Sequence, residues 1–221
     1  MDTGAQGNHV DSGERGSVID RVGLYEAFAT VGFAGQRRRV YRRIVALSGA
    51  RSGDKALDVG CSGGFLARLL ADAVSPSGRV TGIDPSERAI AYATRRAPAN
   101  CSFAVGVAQD LGLPDQSFDV VTSTLAIHHV PEAKRQAAFA EMFRVLRPGG
   151  RLLIADFRPP GGRFSLHGAL RGALRGRGHP TQQADPATIE DLAAEAGFQV
   201  HDCGGLPLLG YVQAARPLDA A

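Results

Sequence analysis

The chain has 221 residues, 44% of them hydrophobic, with 25 basic and 22 acidic side chains and a net charge of +3. That length suits one domain with a sizeable core. No apolar run reaches the roughly 18 residues of a membrane-spanning helix, and the mild charge gives no support for binding double-stranded DNA.

Cys61, Cys101 and Cys203 are odd in number and widely spaced, which suggests reduced thiols with no metal-binding spacing. The N-terminus lacks an apolar signal core, so a cytoplasmic chain is expected. Lys55 and Lys134 are the only lysines, so nearly all basic charge is arginine. In an alanine-rich chain this has the look of a G+C-rich coding bias, which weakens any argument from arginine clusters.

Residues 1–18 place Gly4, Gly7, Gly13 and Gly16 among polar neighbours and read as a disordered tail. The domain proper spans 19–221. Residues 19–50 read as a helical cap in two pieces, broken near Gly32–Gly35. In the second piece Val40, Ile44 and Leu47 share one stripe. Arg37, Arg38, Arg39, Arg42 and Arg43 mostly face elsewhere, either as a solvated face or as a lid whose arginines meet an anionic group. At about 100° per residue, one of Arg37, Arg38 and Arg39 can point inward while its neighbours stay in solvent.

Ala56–Val59 reads as a short buried strand. In Phe65–Ala73, apolar positions 66, 69, 70 and 73 fall on one helical face. Between them Gly60-Cys61-Ser62-Gly63-Gly64 is a strand-to-helix turn. Glycine there takes positive φ and admits a ligand with no Cβ in the way. The helix N-terminus offers unpaired N–H groups to negative charge. Arg79–Asp84 is the next strand, ending on an acid 20 residues past Gly64. A carboxylate there accepts hydrogen bonds from ribose hydroxyls. The turn and the acid together point to a nucleotide-type site.

Ser86–Arg96 is then a helix, Cys101–Val107 a third strand and Asp119–Ser123 a fourth, with Thr124 to His129 beyond its end. Pro131 opens a helix bearing Phe139, Met142, Phe143 and Leu146, which Arg147-Pro148-Gly149-Gly150 stops. Arg151–Phe157 is a fifth strand. Residues 158–185 carry five arginines and read either as a substrate cover or as a mobile loop. Asp185-Pro186 caps a helix ending at Gly197, and Phe198–Cys203 and Gly210–Ala215 are two last strands. The alternation predicts an α/β fold with a doubly wound, mostly parallel sheet, its ligands beyond the C-terminal strand ends.

Residues 56–64 resemble the first motif of class I S-adenosylmethionine-dependent methyltransferases, acid-x-Gly-x-Gly-x-Gly, and Asp84 matches their ribose acid. Residues 108–119, Leu125-Ala126-Ile127-His128-His129-Val130 and Arg144-Val145-Leu146-Arg147-Pro148-Gly149-Gly150 resemble the branch typified by ubiquinone and menaquinone biosynthesis. The resemblance covers about 55–157. It implies a Rossmann-like seven-stranded sheet of order 3-2-1-4-5-7-6, with strand seven antiparallel. Two departures stand out: Ser62 replaces the middle glycine, and Val107 stands where many relatives carry an aspartate that bonds the adenine amino group. Gln109 or Asp110 substitutes for that aspartate, or backbone at Ala108 and apolar packing hold the ring.

The resemblance implies S-adenosylmethionine as cofactor. It lays Gly60, Cys61, Ser62 and Gly64 against the methionine part and ribose, and Asp58 toward the amino group. Asp84, with Pro85 beside it, serves the ribose hydroxyls. Ala108 and Gln109 flank the adenine, Thr124 and Leu125 line the sulfonium side, and Tyr25 reaches in from the first helix. Asp58 as a turn cap and Asp84 as a helix cap are the structural alternatives. Methyl transfer is an in-line displacement whose activation the cofactor carries. A base is needed only for a hydroxyl, a protonated amine or an acidic carbon. His128 and His129 are the candidate bases, His128 foremost, with packing or capping as the alternative.

The expected acceptor is a small molecule, attacking through oxygen, nitrogen or carbon, and a homodimer is compatible with the pattern. Two rival readings remain. One is a tRNA-modifying methyltransferase using the arginine-rich stretches. The other is an α/β-hydrolase with Ser62 as nucleophile, served by Asp156 and by His179 or His201. The acceptor pocket is expected under a roof of Tyr25–Arg43 and Phe157–Ala184, where water must be excluded.

Overall fold

The computed structural model describes residues 35–157 and 186–219. The expected tail, the first helical piece with Tyr25, and the segment 158–185 lie outside them. The described chain runs α1 (Arg37–Ser48), β1 (Lys55–Val59), α2 (Phe65–Val74), β2 (Arg79–Asp84), α3 (Glu87–Thr94), β3 (Cys101–Val105) and β4 (Phe118–Thr124). A 3-10 turn (Ile127–His129), α4 (Glu132–Val145), β5 (Leu146–Phe157), α5 (Pro186–Glu195), β6 (Gln199–Leu206) and β7 (Leu209–Ala215) follow.

The seven strands form one sheet in the order β3-β2-β1-β4-β5-β7-β6, as the resemblance implied. Pairing is parallel from β3 through β5, and β7 is antiparallel to both neighbours. The order reverses between β1 and β4, so their C-terminal ends open a crevice at the centre of the sheet. β4 is buried at every residue, as a central strand covered on both faces must be.

The pleat divides the core in two. Leu57, Leu152 and Ile154 face Phe139 and Met142 of α4 and Ile189 of α5. Ala56, Leu153 and Ala155 face Ile44 of α1 and Leu66 and Leu70 of α2. The end of α1 is pinned where Arg151 donates to the Gly49 carbonyl at 2.7 Å and pairs with Asp54 at 2.6 Å.

Several boundaries differ from the sequence reading. The third strand ends at Val105, because Val107 and Asp110 close a tight turn bridged across their backbones. The helix Ser86–Arg96 shortens to Glu87–Thr94, with the Ser86 hydroxyl capping it by accepting from Ala89 N at 3.2 Å. Arg147–Gly150 is not a loop: β5 starts at Leu146. Gly149 N donates to the Arg216 carbonyl, and Arg216 N donates to the Gly150 carbonyl. Those bonds prolong the sheet through residues whose glycines and proline read as breakers. β6 extends to Leu206 for the same reason, its Gly204 and Gly205 pairing with Tyr211 and Gly210 across a hairpin.

Candidate active site

The crevice at the strand ends holds an open cleft. Its floor is the turn after β1. Gly60 N and Cys61 N both donate to the Ile83 carbonyl, at 2.8 and 3.0 Å, which locks this turn onto β2. At Gly60 φ is +76°, and a Cβ would lie 2.2 Å from the Ala126 Cβ, so only glycine lets the turn pass the chain leaving β4. Ser62 adopts φ +47° in the position of the missing glycine, and its N–H donates to Asp84 Oδ2 at 2.9 Å. Its hydroxyl makes no hydrogen bond among the described residues.

Asp84 ends β2. Its second oxygen accepts from Ser86 N at 2.9 Å, so one carboxylate ties the first turn to the second and keeps lone pairs for a ligand. Burial pushes its pKa up, against those two hydrogen bonds. Asp58 lies deeper. Its Oδ1 accepts from the Thr122 hydroxyl at 3.2 Å, and its Oδ2 is buried with no partner among the described residues. Burial, opposed by the Thr122 bond and reinforced by nearby Asp84, pushes it up to about 7. An unpartnered buried carboxylate oxygen in a cavity wall is costly unless a donor from a ligand meets it.

Asp58, Gly60, Cys61, Ser62, Asp84 and Pro85 line the cleft on one side. Ala108, Gln109, Thr124 and Leu125 line the other. Gly64 does not. At φ +73° it starts α2 behind the turn, where a Cβ would meet the Phe103 ring at 2.7 Å. Val107 and Gln109 reach the cleft, whereas Asp110 is exposed outside it. A network anchors this stretch: Glu141 accepts from Leu111 N at 2.9 Å, and Arg144 holds both Glu141 and the Leu113 carbonyl.

Of the arginine face of α1, Arg37 turns inward. It is 5% exposed, lines the cleft and lies over the Phe65 ring at 4.1 Å. Arg38, Arg39, Arg42 and Arg43 are exposed. Tyr41 and Phe65 complete this wall, edge to face at 5.0 Å. Neither aromatic was singled out from the sequence, although Tyr41 falls one helical turn after Arg37.

The two histidines part company. His129 lines the cleft. Burial, and the neighbouring His128, push it down to about 4, so it is neutral near pH 7. His128 does not line the cleft. Its Nδ1 lies 2.6 Å from Asp156 Oδ1, and its backbone N–H donates to Asp156 Oδ2 at 3.1 Å. Asp156, at the end of β5, entered the sequence reading only as a hydrolase acid. Here it serves His128, and His201 is exposed on the outermost strand β6, so no triad forms around Ser62 among the described residues.

The comparisons agree with this geometry. Residues 56–150 match the family described as "Methyltransferase domain". The chain is 35% identical over 202 residues to the chloroplastic 2-phytyl-1,4-beta-naphthoquinone methyltransferase of Arabidopsis thaliana, covering 88% of this chain and 74% of that one. The chain belongs to the class I S-adenosylmethionine-dependent methyltransferases, in the quinone-biosynthesis-like branch.

It is also 38% identical over 149 residues to a demethylmenaquinone methyltransferase of Symbiobacterium thermophilum, covering 65% of this chain and 59% of that enzyme. Among solved structures, this methyltransferase superposes on a putative Haloferax volcanii methyltransferase complexed with its Trm112 activator, with a TM-score of 0.69 and 19% identity over 91% of this chain and all of that one. A likeness at that identity speaks to the fold. No described helix is long and apolar enough to cross a membrane.

Proposed function

We propose that this methyltransferase moves the methyl group of S-adenosylmethionine to a small aromatic acceptor of the quinol type. The observation that carries the cofactor reading is Asp58 Oδ2, buried without a partner in the wall of a cleft that also presents Gly60 and Asp84. S-adenosylmethionine supplies an activated methyl on a sulfonium. Asp58 then meets the ammonium of its methionine part, and Arg37 the carboxylate. Asp84 holds the ribose hydroxyls, with Pro85 beside it. Ala108 and Gln109 flank the adenine, while Val107 gives it an apolar contact. Thr124 and Leu125 line the sulfonium side. Cys61 and Ser62 contribute backbone and small size to the turn.

The acceptor class rests on the names of the relatives, which act on naphthoquinone and menaquinone precursors. Arg37 and Tyr41 of α1, with Phe65 of α2, fit the described part of the expected roof; Tyr25 and residues 158–184 lie outside the described residues. Calorimetry with S-adenosylmethionine, S-adenosylhomocysteine and NAD tests the cofactor. We expect micromolar-range binding of the first two and none of NAD, and the reverse pattern overturns the reading. A gain of 14 mass units on a reduced, short-chain demethylmenaquinone tests the acceptor.

A further inference from the structure

The chain between β3 and β4 supplies part of the cleft wall through Val107, Ala108 and Gln109. It pairs with no neighbouring strand, so other contacts must hold it in place. Asp110 N donates to the Val107 carbonyl at 3.2 Å and closes the stretch into a turn. Two further bonds flank that turn. On one side Gly106 N donates to the Asp84 carbonyl at 3.2 Å, which fixes it to the end of β2. On the other, Leu111 N donates to Glu141 Oε2 at 2.9 Å, which fixes it to α4. The first anchor is backbone; the second is a single side chain.

Glu141 lies on α4 between Ala138 and Val145, both fully buried, which brings its carboxylate to the edge of the sheet. Arg144, three residues on, shares its helix face. Nε and Nη2 of Arg144 donate to the two oxygens of Glu141 at 2.6 and 2.8 Å, a two-bond fork. Nη1 donates to the Leu113 carbonyl at 2.8 Å and to Asp115. Arg144 holds the Glu141 carboxyl below its ordinary range, so it accepts as an ion at neutral pH. Further along, the Arg144 and Val145 carbonyls accept from Gln116 N and Ser117 N at 3.0 and 2.8 Å. Neither Glu141 nor Arg144 lines the cleft. A wall fixed before the ligand arrives costs no ordering on binding, whereas a loosened one must be ordered by the ligand. We propose that Glu141, held by Arg144, is a positioning residue for the nucleoside end of the cofactor, acting through the backbone of Val107–Leu111. That the ligand is a nucleoside rests on the cofactor reading above; the anchor does not.

Calorimetry on the full chain compares S-adenosylhomocysteine with 5′-methylthioadenosine, which lacks the amino acid part. Glu141→Ala is expected to weaken both about 5- to 50-fold, and by the same factor. Affinity within about twofold of wild type, or a loss confined to S-adenosylhomocysteine, overturns the proposal. Glu141→Gln keeps an oxygen for Leu111 N and is expected to stay within about threefold of wild type. A loss there as large as that of the alanine variant overturns it. In the empty protein, Glu141→Ala is expected to quicken amide exchange about tenfold or more at Ala108–Leu111, with the Ala138–Val145 amides unchanged. Equal quickening of both stretches marks a general loosening of α4 and overturns it. Should Glu141→Ala fail to fold, Arg144→Lys, which keeps the charge but not the fork, must weaken both ligands about three- to tenfold, and unchanged affinity there overturns the proposal. A wild type that binds neither ligand sinks the cofactor reading instead, and amide exchange then decides the anchor alone.

Discussion

The cleft has two sides built in different ways. The cofactor side is a single βαβ unit: Asp58, the turn at Gly60 and Ser62, and Asp84 lie on adjacent strands within 27 residues of one another, and backbone bonds close the turn. The opposite wall is the chain leaving β4, tied behind the cleft to the end of β5 through bonds between His128 and Asp156, residues 28 apart. The first side is held mainly by groups every residue possesses, so a short motif encodes it. The second depends on one carboxylate meeting one ring, and no motif encodes that. The two sides touch at Gly60 and Ala126.

That seam gives the largest expected effect. Gly60→Ala adds a Cβ 2.2 Å from Ala126 at a φ of +76°. A left-handed alanine and overpacking together cost about 2–5 kcal/mol. Both cofactor binding by calorimetry and melting temperature should fall. A variant that binds the cofactor normally would show the two sides to be independent.

Asp84→Asn separates them. It removes the charge that accepts from Ser62 N and Ser86 N, and should cost about 1.5–3 kcal/mol of cofactor affinity, as for a bond to a charged group. With saturating cofactor kcat should stay close to wild type.

Asp58 gives a pH test. Burial lifts it from its ordinary 3.8 to about 7, so the empty protein keeps it neutral below that value. A raised carboxyl contributes stability that is complete below about 3.8 and is lost as pH climbs through about 7. Asp58→Asn should therefore stabilise the empty protein at pH 8 and change little at pH 4, by melting temperature. Because the ammonium of S-adenosylmethionine needs the ionised carboxylate, wild-type affinity should weaken toward tenfold per pH unit below 7. That slope should vanish in Asp58→Asn.

The smallest effect is a gain. Val107 lines the cleft where many relatives use an aspartate. Val107→Asp should tighten cofactor binding by about two- to tenfold, the worth of one net hydrogen bond. Unchanged affinity would mean that the backbone around Ala108 already meets the adenine edge.

The sequence by itself determined the alternation of strands and helices, the first turn and its two acids; the sheet order followed only from the family resemblance those residues carry. Strand and helix periodicity repeats locally, and a turn that needs left-handed backbone beside a ligand restricts residue type. It also showed that one arginine of Arg37–Arg39 can face inward while its neighbours stay in solvent, as helical spacing permits. Only the tertiary structure decided that one does and that it is Arg37, because docking of Val40, Tyr41 and Ile44 fixes the rotation of α1. Only it showed that Gly149 and Gly204 sit in strands, since pairing partners outside the local chain overrule their preference for turns. And only it moved His129 into the cleft and His128 onto Asp156. Two adjacent histidines are alike in sequence, and what distinguishes them is the left-handed bend at Leu125, which delivers one ring to solvent-filled space and the other to a buried carboxylate.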